Sequence, residues 1–176
     1  MLLTMVAVMG YALDSVRRFY EERVTEDLRA RAVLVRHHIA SILDKREEME
    51  TLCRTLGEES ETRITVIDAQ GLVLAESNQS PETMENHADR PEIKEAYDGR
   101  VGSSTRYSAT RKHNMKYVAV PVRDAKRGDV VAVVRTSVPL IFVEEALSAA
   151  YWQIALGCIA AVVLFALIAR VAEPLA

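Results

Sequence analysis

The chain has 176 residues, with 22 basic and 25 acidic side chains and a formal net charge of −3. This balance gives no general attraction to phosphate backbones, and no basic run is interleaved with aromatic residues, so nucleic acid is excluded as the main partner. Hydrophobic residues make up 49% of the chain, which is enough for one domain of ordinary size with a buried core.

Two uncharged apolar stretches lie near the ends of the chain. Residues 146–169 carry no charged side chain, and at helical rise they exceed the ~30 Å hydrocarbon core of a bilayer. We predict that a helix over 141–172 runs into a transmembrane span there; the alternative is a buried core helix.

Residues 1–13 are also uncharged but cover only about 20 Å. We expect a truncated first transmembrane helix rather than a cleaved signal peptide, because no basic segment precedes the apolar residues.

Residues 14–60 predict one long amphipathic helix. They contain no proline and no glycine before Gly57, and their apolar residues recur at steps of three and four, which indicates a helix with one apolar face. The stripe comprises Leu28, Ala32, Val35, Ile39, Ile42, Met49, Cys53 and Leu56. We expect part of this face to pair with a second copy of the chain in a homodimer. The alternative is that the whole face packs on the chain's own domain.

The pattern changes to strand type after this helix. Runs of apolar and β-branched residues predict five strands, at 63–68, 72–77, 103–109, 115–123 and 129–138. A short helix is expected at 91–97, with Pro91 in its first turn, Glu92 complementing its dipole and Gly99 as its stop. Short links between the strands favour antiparallel pairing. The predicted fold class is therefore α+β, a long N-terminal helix packed on a five-stranded antiparallel sheet and flanked by transmembrane helices.

Several segments, taken in order, resemble the extracytoplasmic sensor domain of PhoR-like two-component sensor histidine kinases, of the PAS-like PDC or single-Cache type. They are RITVIDAQGLVLAES at 63–77, ENHADRPEI at 85–93, AYDGRVGSSTRYSAT at 96–110, MKYVAVPV at 115–122 and VVAVVRTSVPL at 130–140. The resemblance implies a sensor domain over 61–140. It also implies that a kinase domain would follow outside these 176 residues.

The last residues resemble the opening of a HAMP linker, in which a Pro-Leu pair follows a membrane helix. The matching sequence is RVAEPL at 170–175, and the linker is expected to start at 173–176. This resemblance implies a cytoplasmic C-terminus, with residues 14–145 outside the cytoplasm and the protein in the inner membrane. Arg17, Arg18 and Arg23 favour the opposite orientation by the positive-inside tendency, although long domains translocate largely regardless of charge.

Candidate binding residues lie between 84 and 117. In the resembled fold, the loop and helix between strands two and three cover one face of the sheet, and we expect a ligand pocket there lined by His87, Arg90, Arg106, Tyr107 and Tyr117. Guanidinium groups bind carboxylate or phosphate through paired hydrogen bonds, and tyrosine rings supply a wall. The expected partner is a small polar or anionic ligand, or an extracytoplasmic protein. The alternative is that Arg90 holds the loop by pairing with a carboxylate, while His87 and Asn86 bond backbone groups of the turn.

The sequence has no motif for catalysis. A nucleophile with its base, a phosphate-binding glycine loop and a metal-ligand spacing are all missing, so we expect no enzymatic activity in this region, no metal and no cofactor. The resemblance implies the sensing region of a membrane histidine kinase, which passes a ligand-induced change through the second membrane helix. The alternatives are the input domain of a chemoreceptor or of a cyclic-nucleotide signalling protein, or a membrane assembly protein that senses nothing.

Overall fold

A computed structural model describes residues 2–108 and 112–172. The chain divides into two compact units, one formed by residues 21–140 and the other by residues before 21 and after 140. The helices are α1 (Leu2–Ile39), α2 (Arg46–Glu59), α3 (Pro91–Tyr97) and α4 (Ile141–Ala172), with a 3-10 turn at Pro81–Thr83. The strands are β1 (Arg63–Asp68), β2 (Val73–Glu76), β3 (Gly102–Ser108), β4 (His113–Arg123) and β5 (Val130–Pro139).

The five strands form one sheet in the order β2-β1-β5-β4-β3. Every neighbouring pair is antiparallel, and β1 joins β5 with Thr65 opposite Arg135. The predicted α+β class with a long N-terminal helix and a five-stranded antiparallel sheet is therefore confirmed. The first strand has the predicted bounds, and the ends of the other strands lie within two residues of the predicted ones. Ala109, predicted at the end of the third strand, lies outside the described residues.

The single helix predicted over residues 14–60 is wrong in its extent, because α1 ends at Ile39 and α2 begins at Arg46. Residues 40–45 form tight turns in which the Ile42 amide donates to the Ile39 carbonyl at 3.0 Å and the Lys45 amide to the Ile42 carbonyl at 2.9 Å. Ile42 and Leu43 are partly buried against the core. The sequence has no glycine or proline here, so the break follows from burial of apolar side chains and not from a local stop signal.

The apolar stripe of α1 and α2 packs on one face of the chain's own sheet. Leu28, Ala32, Ile39, Met49 and Cys53 are all within 1% of complete burial, and a buried leucine side chain contributes about 1.5–3 kcal/mol. Most of the stripe belongs to a cluster that includes strand residues of β1, β2, β4 and β5. The intramolecular alternative therefore describes this stripe, and a helix pair between two copies would need another face.

The opposite face of the sheet is covered by α3 and by the loop before it. Ile93 and Ala96 of α3 pack against Ile67, Ala119 and Val133 of the sheet. At the start of β3, a Cβ on Gly102 would lie 2.1 Å from the Glu92 carbonyl oxygen, so only glycine allows α3 to approach the strand this closely. The candidate site lies on this face.

Within the ranges that the structure describes, no helix has both the length and the apolarity needed to cross a membrane. The membrane spans predicted at 1–13 and 146–169 are thus not shown, although α4 occupies the range in which a helix was expected. The HAMP-like residues 173–176 lie outside the described part of the chain.

Candidate functional site

The loop that carries His87 is anchored to the turn between β1 and β2. Asp68 Oδ1 accepts a hydrogen bond from the Gln70 amide at 2.8 Å, and Gly71 has a φ of +87°, a conformation that favours glycine. The His87 amide donates to the Gly71 carbonyl at 2.8 Å, and Asn86 Nδ2 donates to the Gln70 carbonyl at 2.8 Å. Asn86 therefore bonds turn backbone, as the structural alternative expected, and the imidazole of His87 is left to face the pocket.

A pocket of about 350 Å³ lies between the sheet and this loop. Its lining residues come from β1, β3, β4 and β5 and from the segment 79–90: Arg63, Gln79, Thr83, Met84, Glu85, His87, Arg90, Arg106, Tyr107, Ser108, Tyr117 and Arg135. All five residues that the sequence suggested as ligand-binding are brought together here. A volume of this size suits a small molecule and not a macromolecule.

The floor of the pocket is built around a buried carboxylate. Glu92, at 0% exposure, accepts a hydrogen bond from Ser104 Oγ on Oε2 at 2.6 Å and from Arg106 Nη2 on Oε1 at 3.2 Å. Arg135 Nη1 lies 3.5 Å from the same Oε1. The guanidinium carbons of Arg106 and Arg135 are 4.1 and 5.2 Å from the centre of the Tyr117 ring, close enough for cation–π attraction. We call these five residues the floor cluster.

Burial, hydrogen bonds and neighbouring charges shift the pKa values of three groups at the site. Burial lowers the pKa of Arg135 to about 10, so the guanidinium is charged at neutral pH. Burial alone would raise the pKa of Glu92, but the hydrogen bond from Ser104 and the arginine charges keep that pKa below its ordinary value. Burial and the charge of Arg135 lower the pKa of His87 to about 4, so its ring is neutral at neutral pH.

Several buried donors at the site have no hydrogen-bond partner among the residues that the structure describes. They are Arg106 Nε, Arg135 Nε and Ser137 Oγ, together with Arg135 Nη1, which lies at ion-pair distance from Glu92 Oε1 but makes no hydrogen bond to it. His87 Nδ1, which donates or accepts according to its tautomer, is also without a hydrogen-bond partner. Unsatisfied buried polar groups are rare in folded proteins and are costly unless a ligand or water satisfies them. The arrangement is suited to a ligand that supplies acceptor oxygens.

The rim of the pocket contains ion pairs of unequal strength. Arg63 Nε is 2.7 Å from Glu76 Oε1, and both side chains are nearly inaccessible to solvent. Arg90 Nη2 is 3.8 Å from Glu85 Oε2, and the Glu85 side chain is 88% exposed. Arg90 thus has the carboxylate partner that the structural alternative expected, and the contact is long and exposed to solvent. Tyr107 lies at the rim with 60% exposure.

Sequence reasoning missed Arg63, Arg135, Ser137 and the buried role of Glu92. Glu92 does lie in the first turn of α3, as expected, but the sequence did not indicate that its side chain is buried and enclosed by the floor cluster. A usable signal was Arg135 itself, which directly follows the apolar run VVAVV: a charge within a buried strand requires a partner. In the described parts of the chain, no three histidine, cysteine or acidic side chains group as metal ligands.

Residues 18–137 match the family model described as Single Cache-like. Comparison with curated proteins returned no match. The fold is similar to the sensor domain of the V. cholerae histidine kinase DctB, with a TM-score of 0.65 at 15% identity over 83% of this chain and 59% of that chain. For the E. coli DcuS sensor domain the TM-score is 0.59 at 15% identity, over 73% of this chain and 97% of that chain.

A third similar structure is the ligand-binding domain of the Pseudomonas aeruginosa PAO1 amino acid chemoreceptor PctC in complex with GABA. Its TM-score is 0.55 at 16% identity, over 72% of this chain and 62% of that chain. At such identities the likeness is one of fold.

Proposed function

Because the chain belongs to the single Cache-like family, we propose that it senses a small organic anion, bound through a carboxylate in the arginine-lined pocket. The observation that carries this proposal is the buried floor of the pocket, where Arg106 and Arg135 present donor groups that have no hydrogen-bond partner in the described residues. Guanidinium groups bind carboxylates through paired, charge-assisted hydrogen bonds. Their charges need a counter-ion that Glu92 alone does not supply.

The composition of the lining supports an anion over a cation or an apolar ligand. Four of the lining residues are arginines, and Glu85 is the one acidic residue among them. The GABA bound by the similar chemoreceptor domain carries a carboxylate, as does the asparagine bound by the ligand-binding domain of Mlp24, which matches this chain with a TM-score of 0.59. These ligands belong to the other proteins, and they indicate only the class of compound to test first.

The direct test is to measure the binding of a panel of small carboxylates to the purified chain. Calorimetry gives the affinity of each compound, and a rise in the melting temperature of the protein gives independent evidence of binding. We expect at least one to bind, and Arg106→Gln to weaken it roughly ten- to hundredfold, because a hydrogen bond to a charged group contributes about 1.5–3 kcal/mol. Arg100→Gln is the matched control, since Arg100 is exposed and pairs with Asp98 away from the pocket. Equal losses in both variants, or no binding by any anion, would refute the proposal.

We further propose that the domain is the input region of a membrane-bound, PhoR-like sensor histidine kinase with a HAMP linker. The resemblance over 63–140 and at 170–175 supports this assignment. In this proposal the ligand favours one of two arrangements of the domain, and the helix after β5 transmits the shift. Fusing residues 1–176 to the cytoplasmic half of a histidine kinase tests it. We expect the ligand to change the autophosphorylation of the fusion protein and to have no effect on the Arg106→Gln variant of the same fusion. A ligand that binds without changing autophosphorylation favours a chemoreceptor or another output.

The proposed location of residues 14–145 is outside the cytoplasm. It is supported by the family resemblance and by the uncharged residues 146–169. A Lys126→Cys, Cys158→Ser variant places one reactive thiol on the exposed turn between β4 and β5, while Cys53 is fully buried. We expect a membrane-impermeant maleimide to label this variant in cells with a permeable outer membrane. Labelling only after lysis would contradict the proposed orientation.

We also propose that two copies pair through residues 14–60. Since the apolar stripe is buried within each copy, the contact would use the outer face of α1, where Leu34 is 68% exposed. Light scattering after size-exclusion chromatography tests this idea. The expected result is a dimer for the wild type and a monomer for Leu34→Glu, and a monomeric wild type at all concentrations would contradict it.

A further inference from the structure

The floor cluster carries an odd number of charges. It contains two guanidinium groups, on Arg106 and Arg135, and one carboxylate, on Glu92, all at most one-quarter exposed. Both arginines approach the same oxygen of Glu92, while its other oxygen accepts the Ser104 hydrogen bond. One carboxylate therefore neutralises one of the two arginines and leaves a single positive charge at the floor.

The remaining charges around the pocket do not change this balance. Arg63 is neutralised by Glu76 at 2.7 Å, and Arg90 has Glu85 within 3.8 Å. His87 is neutral at neutral pH, since its pKa is about 4. Among the residues that the structure describes, the lining and the floor cluster together therefore carry one uncompensated positive charge, located where the unpartnered donors of Arg106 and Arg135 also lie.

We infer that Glu92 is a specificity-determining residue that makes the pocket prefer a singly charged head group, such as a carboxylate, over a doubly charged one, such as a phosphate monoester. This inference rests on the proposed anion-binding function and adds the charge of the ligand to it. A doubly charged group would lose its hydration on entering the pocket but would meet only one counter-charge, and an unpaired buried charge is strongly unfavourable. Glu92 does not line the pocket, so it acts through the two arginines and not by touching the ligand.

The test compares two probes of the same tetrahedral shape and different charge. Methanesulfonate carries one negative charge, and methylphosphonate carries close to two at pH 8.5, a pH at which His87 is neutral. Binding of each probe to the purified chain is followed by NMR titration. We expect the wild type to bind methanesulfonate at least as tightly as methylphosphonate. Glu92→Gln removes the negative charge of the floor and so leaves both arginines uncompensated. The affinity ratio in this variant should move about tenfold or more towards methylphosphonate.

A control variant separates the charge of Glu92 from a general charge effect on α3. Glu95→Gln removes the same charge from α3 at a residue that does not line the pocket and whose Oε2 accepts a hydrogen bond from the Ser103 amide at 3.3 Å. We expect the affinity ratio to stay at its wild-type value in Glu95→Gln. An unchanged ratio in folded Glu92→Gln, or equal changes in both variants, overturns the inference.

A measurement on the wild type keeps the inference testable if Glu92→Gln does not fold. Lowering the pH from 8.5 to 6.5 adds one proton to methylphosphonate and leaves methanesulfonate unchanged. The affinity for methylphosphonate should therefore rise while that for methanesulfonate stays constant, and a fall in methylphosphonate affinity would overturn the inference. If neither probe binds to the wild type or to Glu92→Gln, the anion site itself is refuted, and the inference with it.

Discussion

We expect the stability of the domain to fall as the pH is lowered from 7 to 5, and His87 to account for a defined part of that fall. Its side chain is buried at 7% exposure, and burial together with the nearby charge of Arg135 lowers its pKa from 6.5 to about 4. In the unfolded chain the ring is hydrated and binds a proton near its ordinary pKa. The unfolded state therefore binds more protons than the folded state between pH 6.5 and 4, and acid favours unfolding in this window.

The two pKa values set the size of the effect. The contribution of His87 to the free energy of unfolding is fully present above pH 6.5. It falls by roughly 2 kcal/mol between pH 7 and pH 5 and changes no further below pH 4. Urea unfolding of the purified chain at a series of pH values measures this loss. His87→Gln cannot titrate, so its free energy of unfolding should decline less than that of the wild type by about this amount. His37→Gln, at an exposed histidine of α1, is the matched control and should follow the wild type.

The result that would refute this reasoning is a difference between wild type and His87→Gln that stays constant from pH 7 to pH 5. That outcome would mean that the ring is hydrated in the folded domain and that the pocket is more open than its buried lining indicates. Glu92 also favours unfolding in acid, because its pKa is lowered in the folded chain. Its contribution is common to wild type and variant, and so it cancels in the comparison.

Three further predictions concern the packing of the domain. Leu28→Ala should lower the free energy of unfolding by about 2–5 kcal/mol, because Leu28 is completely buried. Leu34→Ala should change the free energy of unfolding little, because Leu34 is 68% exposed. Equal effects of the two substitutions in urea unfolding would contradict the packing of α1. Gly102→Ala should destabilise by at least about 1–3 kcal/mol, since its Cβ would lie 2.1 Å from a backbone oxygen of α3; an unchanged melting temperature would show that α3 is free to move away. Burial raises the pKa of the Cys53 thiol to about 12, so in a Cys158→Ser variant a thiol reagent should react only after denaturation, and rapid reaction in native buffer would disprove its burial.

The strands and the short helix were predictable because their signals are local. Alternating β-branched residues, a glycine at the β1–β2 turn and Pro91 at the start of α3 each restrict the backbone within a few residues. Strand order is not local in this sense. β1 pairs with β5, some 70 residues later, and this pairing follows from joint burial of both strands between the helices and α3.

The helical segment before the sheet shows the opposite case. Its apolar spacing continues across residues 40–45 as if one helix were present, and it predicts the buried face correctly. It does not predict the break, because the turn at Ile42 and Leu43 is stabilised by contacts with a sheet that comes later in the chain. Local propensity is a weak determinant at such positions, and tertiary packing overrides it.

The sequence by itself determined the kinds of elements and five of the residues that line the pocket, since these follow from periodicity, turn residues and resemblance. Only the tertiary structure decided that Arg135 and Glu92 meet. They are more than forty residues apart in the sequence, and each alone would be an unfavourable buried charge. The cross-strand register and the close approach of α3 at Gly102 bring them together, because a buried charge is stable only where the fold supplies its partner.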